Sequence, residues 1–136
     1  TLPALKDIAV GVITGSPYSP DLDNPQNKKF VEDFRKKYNR VPSLYAAQSY
    51  DAAMLLNSAL LKTGGKIDRE PFRAALKQAD FRSVAGPFRF NNNQFPIRNF
   101  YRVDVGRDSG GQAAFVTRAT VLKDHPDPHA SQCAMK

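Results

Sequence analysis

Residues 45–56 read YAAQSYDAAMLL. The alanines and the run Met54-Leu55-Leu56 describe a buried helix, yet Gln48, Tyr50 and Asp51 stand where Ala or Leu would pack without penalty. Polar groups taken out of water need hydrogen-bond partners. These three are therefore either held by the surrounding structure or turned toward a ligand. The helix is expected over about 44–63: Pro42 and Ser43 punctuate the chain before it, and Gly64-Gly65 offers a C-terminal cap after it. Its small residues, among them Ala46, Ala47, Ala52 and Ala59, permit close approach to a sheet or another helix.

Upstream, Asn24-Pro25 makes a good helix start, because proline at the first helical position loses no useful amide. Phe30, Val31, Phe34 and Tyr38 then mark one apolar face. Lys36, Lys37 and Arg40 fall where positive charge suits the helix dipole. Residues 8–14, IAVGVIT, read as a short buried strand bounded by Gly15, Ser16 and Pro17. Downstream, Asp68 is the expected N-cap of a third helix that tolerates Pro71 in its first turn and packs through Phe72, Ala75, Leu76 and Ala79.

After Gly86-Pro87 the pattern changes to strand and turn. FRF and RNFYRVDV are expected strands around the polar turn NNNQFP, with Tyr101, Val103 and Val105 alternating against Arg102 and Asp104. GRDSGG is a second turn and QAAFVTRATVL a last strand. The tail DHPDPHASQCAMK is too polar and proline-rich to be expected in a core. The order is strand, three helices, then strands, an α/β chain with no detectable repeat.

At 136 residues and 41% hydrophobic content the chain suits a single folded unit and not a disordered one. No apolar run reaches the roughly 18 residues of a membrane span, and TLPALKDIAV shows no basic region followed by an apolar stretch, so no signal peptide is legible. Twenty Lys and Arg against thirteen Asp and Glu give a net charge of +7, which favours acidic partners without naming one. The basic group from Lys28 to Arg40 could meet phosphates, but Glu32 and Asp33 interrupt it and a solvated helix face is the better reading. Cys133 is the lone cysteine, so no internal disulfide forms.

Three further motifs resolve into ordinary structure. DLDNPQN opens like a calcium loop, but Pro25 takes a ligand position and Gln26 stands where glycine is required. TGGK lacks the spacing of a phosphate-binding loop and follows a helix. His125, His129 and Cys133 have ligand chemistry for zinc, but Pro126 and Pro128 prevent the helix that would gather them, leaving a mobile tail as the expectation. No set of nucleophile, acid and base converges, so no enzymatic activity, metal or cofactor is expected. In the opening stretch, Tyr50 could hold a small molecule by ring and hydroxyl, and Gln48 could add directional hydrogen bonds. From composition and spacing alone the structural alternative is favoured, with Asp51 capping a neighbouring loop and Tyr50 in the core.

The succession SPDLDNPQNKKFVEDFRKKYNRVPSLYAAQSYDAAMLLNSAL, then GGKIDREPFRAALKQADFRSVAGPFRFNNNQFPIRNFYRVDV, resembles the branched-chain amino-acid binding proteins, the type I periplasmic solute-binding proteins of ABC importers. Its most specific pieces are P-x-x-Y-A-A-Q-S-Y-D-A-A, A-D-F-R-S-V-A-G-P-F-R-F and F-Y-R-V-D-V, and the likeness runs from about Leu5 to the terminal QCAMK. The resemblance implies a two-lobed α/β fold of which this chain is the C-terminal portion. Residues 1–15 would supply a second-lobe strand, 16–97 the first-lobe helical segment, and 98–136 the return crossing, second-lobe strands and tail. Crossings would fall near 15–18 and 100–105, placing Tyr18 beside a hinge and Gln48 and Tyr50 near the cleft.

The implied function is extracytoplasmic solute binding by hinge closure in the periplasm. Its partners would be a small amino acid or aromatic acid and a membrane ABC permease, with no nucleic acid. Because the portion implied to hold much of the ligand lies earlier in such proteins, this chain alone is expected to bind weakly or not at all. A ligand-sensing regulatory domain of the same fold and a basic nucleic-acid-binding module are the alternatives.

Overall fold

The computed structural model describes residues 2–133, so the last three residues of the terminal QCAMK lie outside the described part. The chain opens with a four-residue helix, α1 (Leu2–Leu5), and a 3-10 turn at Lys6–Ala9, then enters strand β1 (Ile13–Ser16). Three helices follow: α2 (Pro25–Tyr38), α3 (Leu44–Lys62) and α4 (Arg69–Gln78). Strands β2 (Arg89–Phe90), β3 (Pro96–Arg107) and β4 (Ala113–His125) complete the sheet, and a 3-10 turn at Ala130–Gln132 ends the described chain. No helix among the described residues is long and apolar enough to cross a membrane.

The helix boundaries follow local chemistry. Asn24 caps α2 by accepting the Asn27 amide at 2.8 Å, and Pro25 fills the first helical position. Ser43 caps α3 by accepting from the Ala46 amide. Gly64 and Gly65, at φ +62° and +80°, let the chain leave it in a left-handed conformation. Asp68 does occupy the N-cap of α4, but its side chain accepts no hydrogen bond there.

Strand β3 is the centre of an antiparallel sheet. It pairs with β1 from Ile13↔Asp104 to Ser16↔Tyr101, with β4 from Arg98↔His125 to Arg107↔Ala113, and with β2 at its start. The alternation expected in β3 holds: Tyr101, Val103 and Val105 are buried while Arg102 is exposed. Tyr101 and Val103 join Tyr18, Leu22, Phe30, Val31, Ala47 and Val84 in one core, so helices α2 and α3 bury their inner faces against β3. Phe34 packs against this core, and the Tyr38 ring lies 4.6 Å from that of Phe34 at the helix end.

Two expectations are corrected. Residues 8–14 are not a buried strand: the strand begins at Ile13, and Ile8 and Ile13 are 88% and 60% exposed. Gly11, at φ +94°, breaks the extended run, and no described element covers the apolar side chains beyond it. The tail is also more ordered than its composition suggests. Strand β4 continues to His125, Asn93 donates to Asp127 at 2.7 Å, and Asn92 donates to the carbonyl of Ala130, which is buried. Side-chain amides from the NNNQ turn supply the partners that a hydrophobic pattern cannot reveal.

Candidate functional site

The loop at 81–88 carries little regular structure, yet three elements hold it. Asn24 donates its side-chain amide to the Val84 carbonyl at 3.0 Å. Asp51, on α3, accepts from the Ser83 hydroxyl at 2.5 Å and from the Val84 amide at 3.0 Å. Tyr101, on β3, donates its hydroxyl to the Ala85 carbonyl at 2.9 Å. At Gly86 a Cβ would lie 3.0 Å from that hydroxyl and the backbone sits at φ +104°, so only glycine suits the position. Burial raises the Asp51 carboxyl above the usual carboxylate range even though its two bonds favour the charged form. Asp51 therefore fastens a loop, as its structural reading anticipated.

A second set of bonds fixes the segment after β1. The Ser16 hydroxyl donates to the Tyr18 carbonyl at 2.6 Å and accepts the Tyr18 amide at 3.2 Å. The buried Tyr18 hydroxyl donates to Asn27 Oδ1 at 3.0 Å, and Asn27 Nδ2 donates to the carbonyls of Pro20 and Leu22. Burial, with the charges of Asp51 and Asp21 adding to it, raises the Tyr18 phenol well above its ordinary pKa, so this hydroxyl remains a donor.

Between these two fixed segments and α3 lies a cavity of about 180 Å³. Tyr18 and Gln48 both line it, with Leu44, Ala47 and Leu55 of α3 on one side and Phe81, Pro87 and Phe88 on the other. Among the described residues the Gln48 side chain makes no hydrogen bond to protein, which leaves its amide available. Tyr50 is placed differently. It is not among the lining residues; its ring is 4.7 Å from Phe30, and it is 37% exposed. Of the three candidate residues, the structure brings Tyr18 and Gln48 together and sets Tyr50 against α2.

The cavity adds a residue that sequence reasoning passed over. Arg98, at the start of β3, lines it half-buried, with its guanidinium carbon 5.7 Å from the Phe100 ring centroid. Burial lowers the Arg98 pKa, and no carboxylate among the described residues lies within salt-bridge distance. The β3–β4 register shifts between Arg98 and Phe100, between Phe100 and Tyr101 and between Arg102 and Val103, and every residue from Pro96 to Phe100 is half-buried with no alternation. The alternation that located Tyr101 and Val103 therefore carries no information about Arg98. Phe81 and Phe88 were hidden for a related reason, since they sit on a loop whose path is set by distant partners.

The periplasmic binding protein family model matches residues 1–112. The chain belongs to the periplasmic binding protein family. It is 32% identical over 113 residues to the Leu/Ile/Val-binding protein homolog 6 of Brucella abortus, a match covering 81% of this chain and 29% of that protein. The fold matches an ABC-transporter solute-binding protein from R. palustris in complex with benzoate, at TM-score 0.79 and 31% identity over 90% of this chain and 33% of that one. It also matches a leucine-binding protein from Thermotoga maritima, at TM-score 0.69 and 27% identity over 87% of this chain and 33% of that one. The architecture is thus that of the type I periplasmic binding proteins, and this chain spans about a third of the length of its relatives.

Proposed function

We propose that this chain is part of an extracytoplasmic solute-binding protein that delivers a small amino acid or aromatic acid to the membrane permease of an ABC importer. The likeness to a benzoate-bound solute-binding protein over 90% of the chain carries this reading. In it, residues 1–15 and 98–136 contribute to the second lobe and 16–97 to the first. The unbroken strand β3, paired with both β1 and β4, supports a crossing between them. Closure is then a hinge motion biased by contacts that the ligand makes only in the closed form. Tyr18 contributes from the hinge side, Gln48 from the wall of α3, and Tyr50 from the outer rim.

A thermal-shift screen of the full-length protein against branched-chain amino acids and aromatic acids tests this function. One or more solutes should raise the melting temperature, since a ligand that binds only the folded state stabilises it by mass action. Silence toward every solute sinks the reading. Tyr50→Ala should weaken ligand binding by a larger factor than it lowers the stability of the ligand-free protein. The reverse outcome returns Tyr50 to the packing around Phe30.

A further inference from the structure

We propose that Asp21 is a hinge latch, a carboxylate that clips the loop after β1 to a bulge in strand β4 and so limits how far the two lobes swing. The role rests on the two-lobed solute-binding reading and names what restrains that motion.

The latch has a rigid arm. Ser16 ties the loop to the end of β1 through its two bonds with Tyr18. Asn27 of α2 donates to the carbonyls of Pro20 and Leu22, the residues on either side of Asp21. The Leu22 amide donates back to the Ser19 carbonyl at 3.2 Å, closing a turn that carries Asp21 at its tip. The arm therefore moves with α2 and the core around it.

Its target is an irregularity in the sheet. Arg102 of β3 pairs with Ala119 and Val103 with Thr117, which leaves Arg118 as the extra residue of a β-bulge. There the Thr117 amide donates to Asp21 Oδ2 at 2.7 Å and the Thr117 hydroxyl to Oδ1 at 2.6 Å. The Arg118 guanidinium donates to Asp104 of β3 at 3.1 Å. One carboxylate thus braces the bulge from within the sheet, and the other ties it to the loop.

The register brings this contact to the hinge. Val103 pairs with Thr14 on one side and with Thr117 on the other, and it shares the core with Leu22 of the arm. The arm therefore passes over β3 and grips the far strand level with the middle of β1. A swing about 15–18 and 100–105 changes the separation between the arm and that level of β4, and the two bonds to Asp21 oppose the change. Asp21 is exposed while Ser19 and Asn27 are buried, so the latch opens without unpacking its arm.

Electron-spin distance measurements on the full-length protein test the latch. Labels go on the exposed Lys36 of α2 and Ser109 of the β3–β4 turn through encoded non-natural side chains, leaving Cys133 untouched. The wild-type distribution without solute should be narrow, and Asp21→Ala should broaden it. Thr117→Val removes one of the two bonds and should broaden it less. Thr117→Ser keeps the hydroxyl and should match the wild type. Exchange of the Thr117 amide should quicken about ten-fold in Asp21→Ala, the low end for a hydrogen bond to a charged group because the carboxylate is exposed. The two Thr117 variants carry the test if Asp21→Ala fails to fold.

Faster Thr117 exchange with an unchanged distance distribution overturns the latch, because the bonds then steady the sheet locally and leave the lobes free. A distribution unaltered in both Asp21→Ala and Thr117→Val overturns it too, and solute binding stands wherever a solute still shifts the wild-type distance. Silence toward every solute in the wider screen, with one fixed distance throughout, removes the two-lobed reading and the latch together.

Discussion

Asn27 is fully buried and spends its whole side chain on structure: one oxygen receives the Tyr18 hydroxyl, and one amide group serves two carbonyls of the preceding loop. Removing it leaves the buried Tyr18 hydroxyl and the half-buried Pro20 carbonyl without that partner and takes one of two donors from the Leu22 carbonyl. Asn27→Ala should therefore cost about 2–4 kcal/mol, more than the roughly 1 kcal/mol of an average hydrogen bond, in urea unfolding. Tyr18→Phe removes a single donor from the same network and should cost about 1 kcal/mol. Asp51 behaves similarly at the other wall of the cavity. Asp51→Ala leaves the Ser83 hydroxyl and the Val84 amide without their charged acceptor, with an expected loss of about 2–3 kcal/mol. Asp51→Asn should lose less, since one acceptor oxygen survives. Equal losses for the two substitutions would count against hydrogen bonding as the role of Asp51.

Between elements, Asp21 joins the loop after β1 to strand β4. Its carboxylate accepts the Thr117 amide at 2.7 Å and the Thr117 hydroxyl at 2.6 Å, with the Ser19 hydroxyl at 2.5 Å on the loop side. Burial pushes this carboxyl up, but the Ser19 and Thr117 bonds outweigh burial and hold it below the ordinary aspartate value. A depressed folded-state pKa adds stability above the unfolded-state value, and that contribution is lost as pH falls through the folded-state value. Acid titration of stability should therefore flatten in Asp21→Asn at pH values below the usual aspartate range, read from melting temperatures across that window. An unchanged acid limb would show that the Asp21 link is not the titrating contact.

The same scale explains what the sequence made legible. Helices α2 and α3 announce themselves because caps and apolar stripes are local: Asn24-Pro25, Ser43 and Gly64-Gly65 each act within a turn of the residues they terminate. The buried face of β3 is equally legible from Tyr101 to Val105, where burial alternates despite a register shift between Arg102 and Val103. Tyr18 and Gln48 line one cavity because Ser16 and Asn27 hold Tyr18 while Asn24, Asp51 and Tyr101 hold the loop opposite, which lies tens of residues away from two of them. No short-range pattern encodes that. The strand after Ala9 was misplaced because an apolar run says nothing of the backbone reversal at Gly11.

Considered whole, the chain carries a basic surface and an uncovered apolar one. Ile8, Ile13, Leu61 and Ile67 are each at least 60% exposed, while the net charge is +7. Repulsion between like-charged copies opposes association, and salt screens it over about 8–10 Å at physiological strength. This chain produced on its own should therefore self-associate more as salt rises, measured by sedimentation velocity. A mass independent of salt would show that the apolar surface is not adhesive.

The pairing of β1 also sets the order in which the sheet can form. Arg107 and Ala113 close the β3–β4 hairpin across a short turn. Ile13 meets Asp104 only after about ninety residues have been looped back, a closure costing about 2 kcal/mol more in chain entropy. Among the described residues strand β1 pairs with β3 alone, and Ile13 has no burial to offset that cost. Its amides should consequently exchange with solvent ahead of those of the hairpin, and refolding should bring β1 home last, after the helices and the β3–β4 pair have already met.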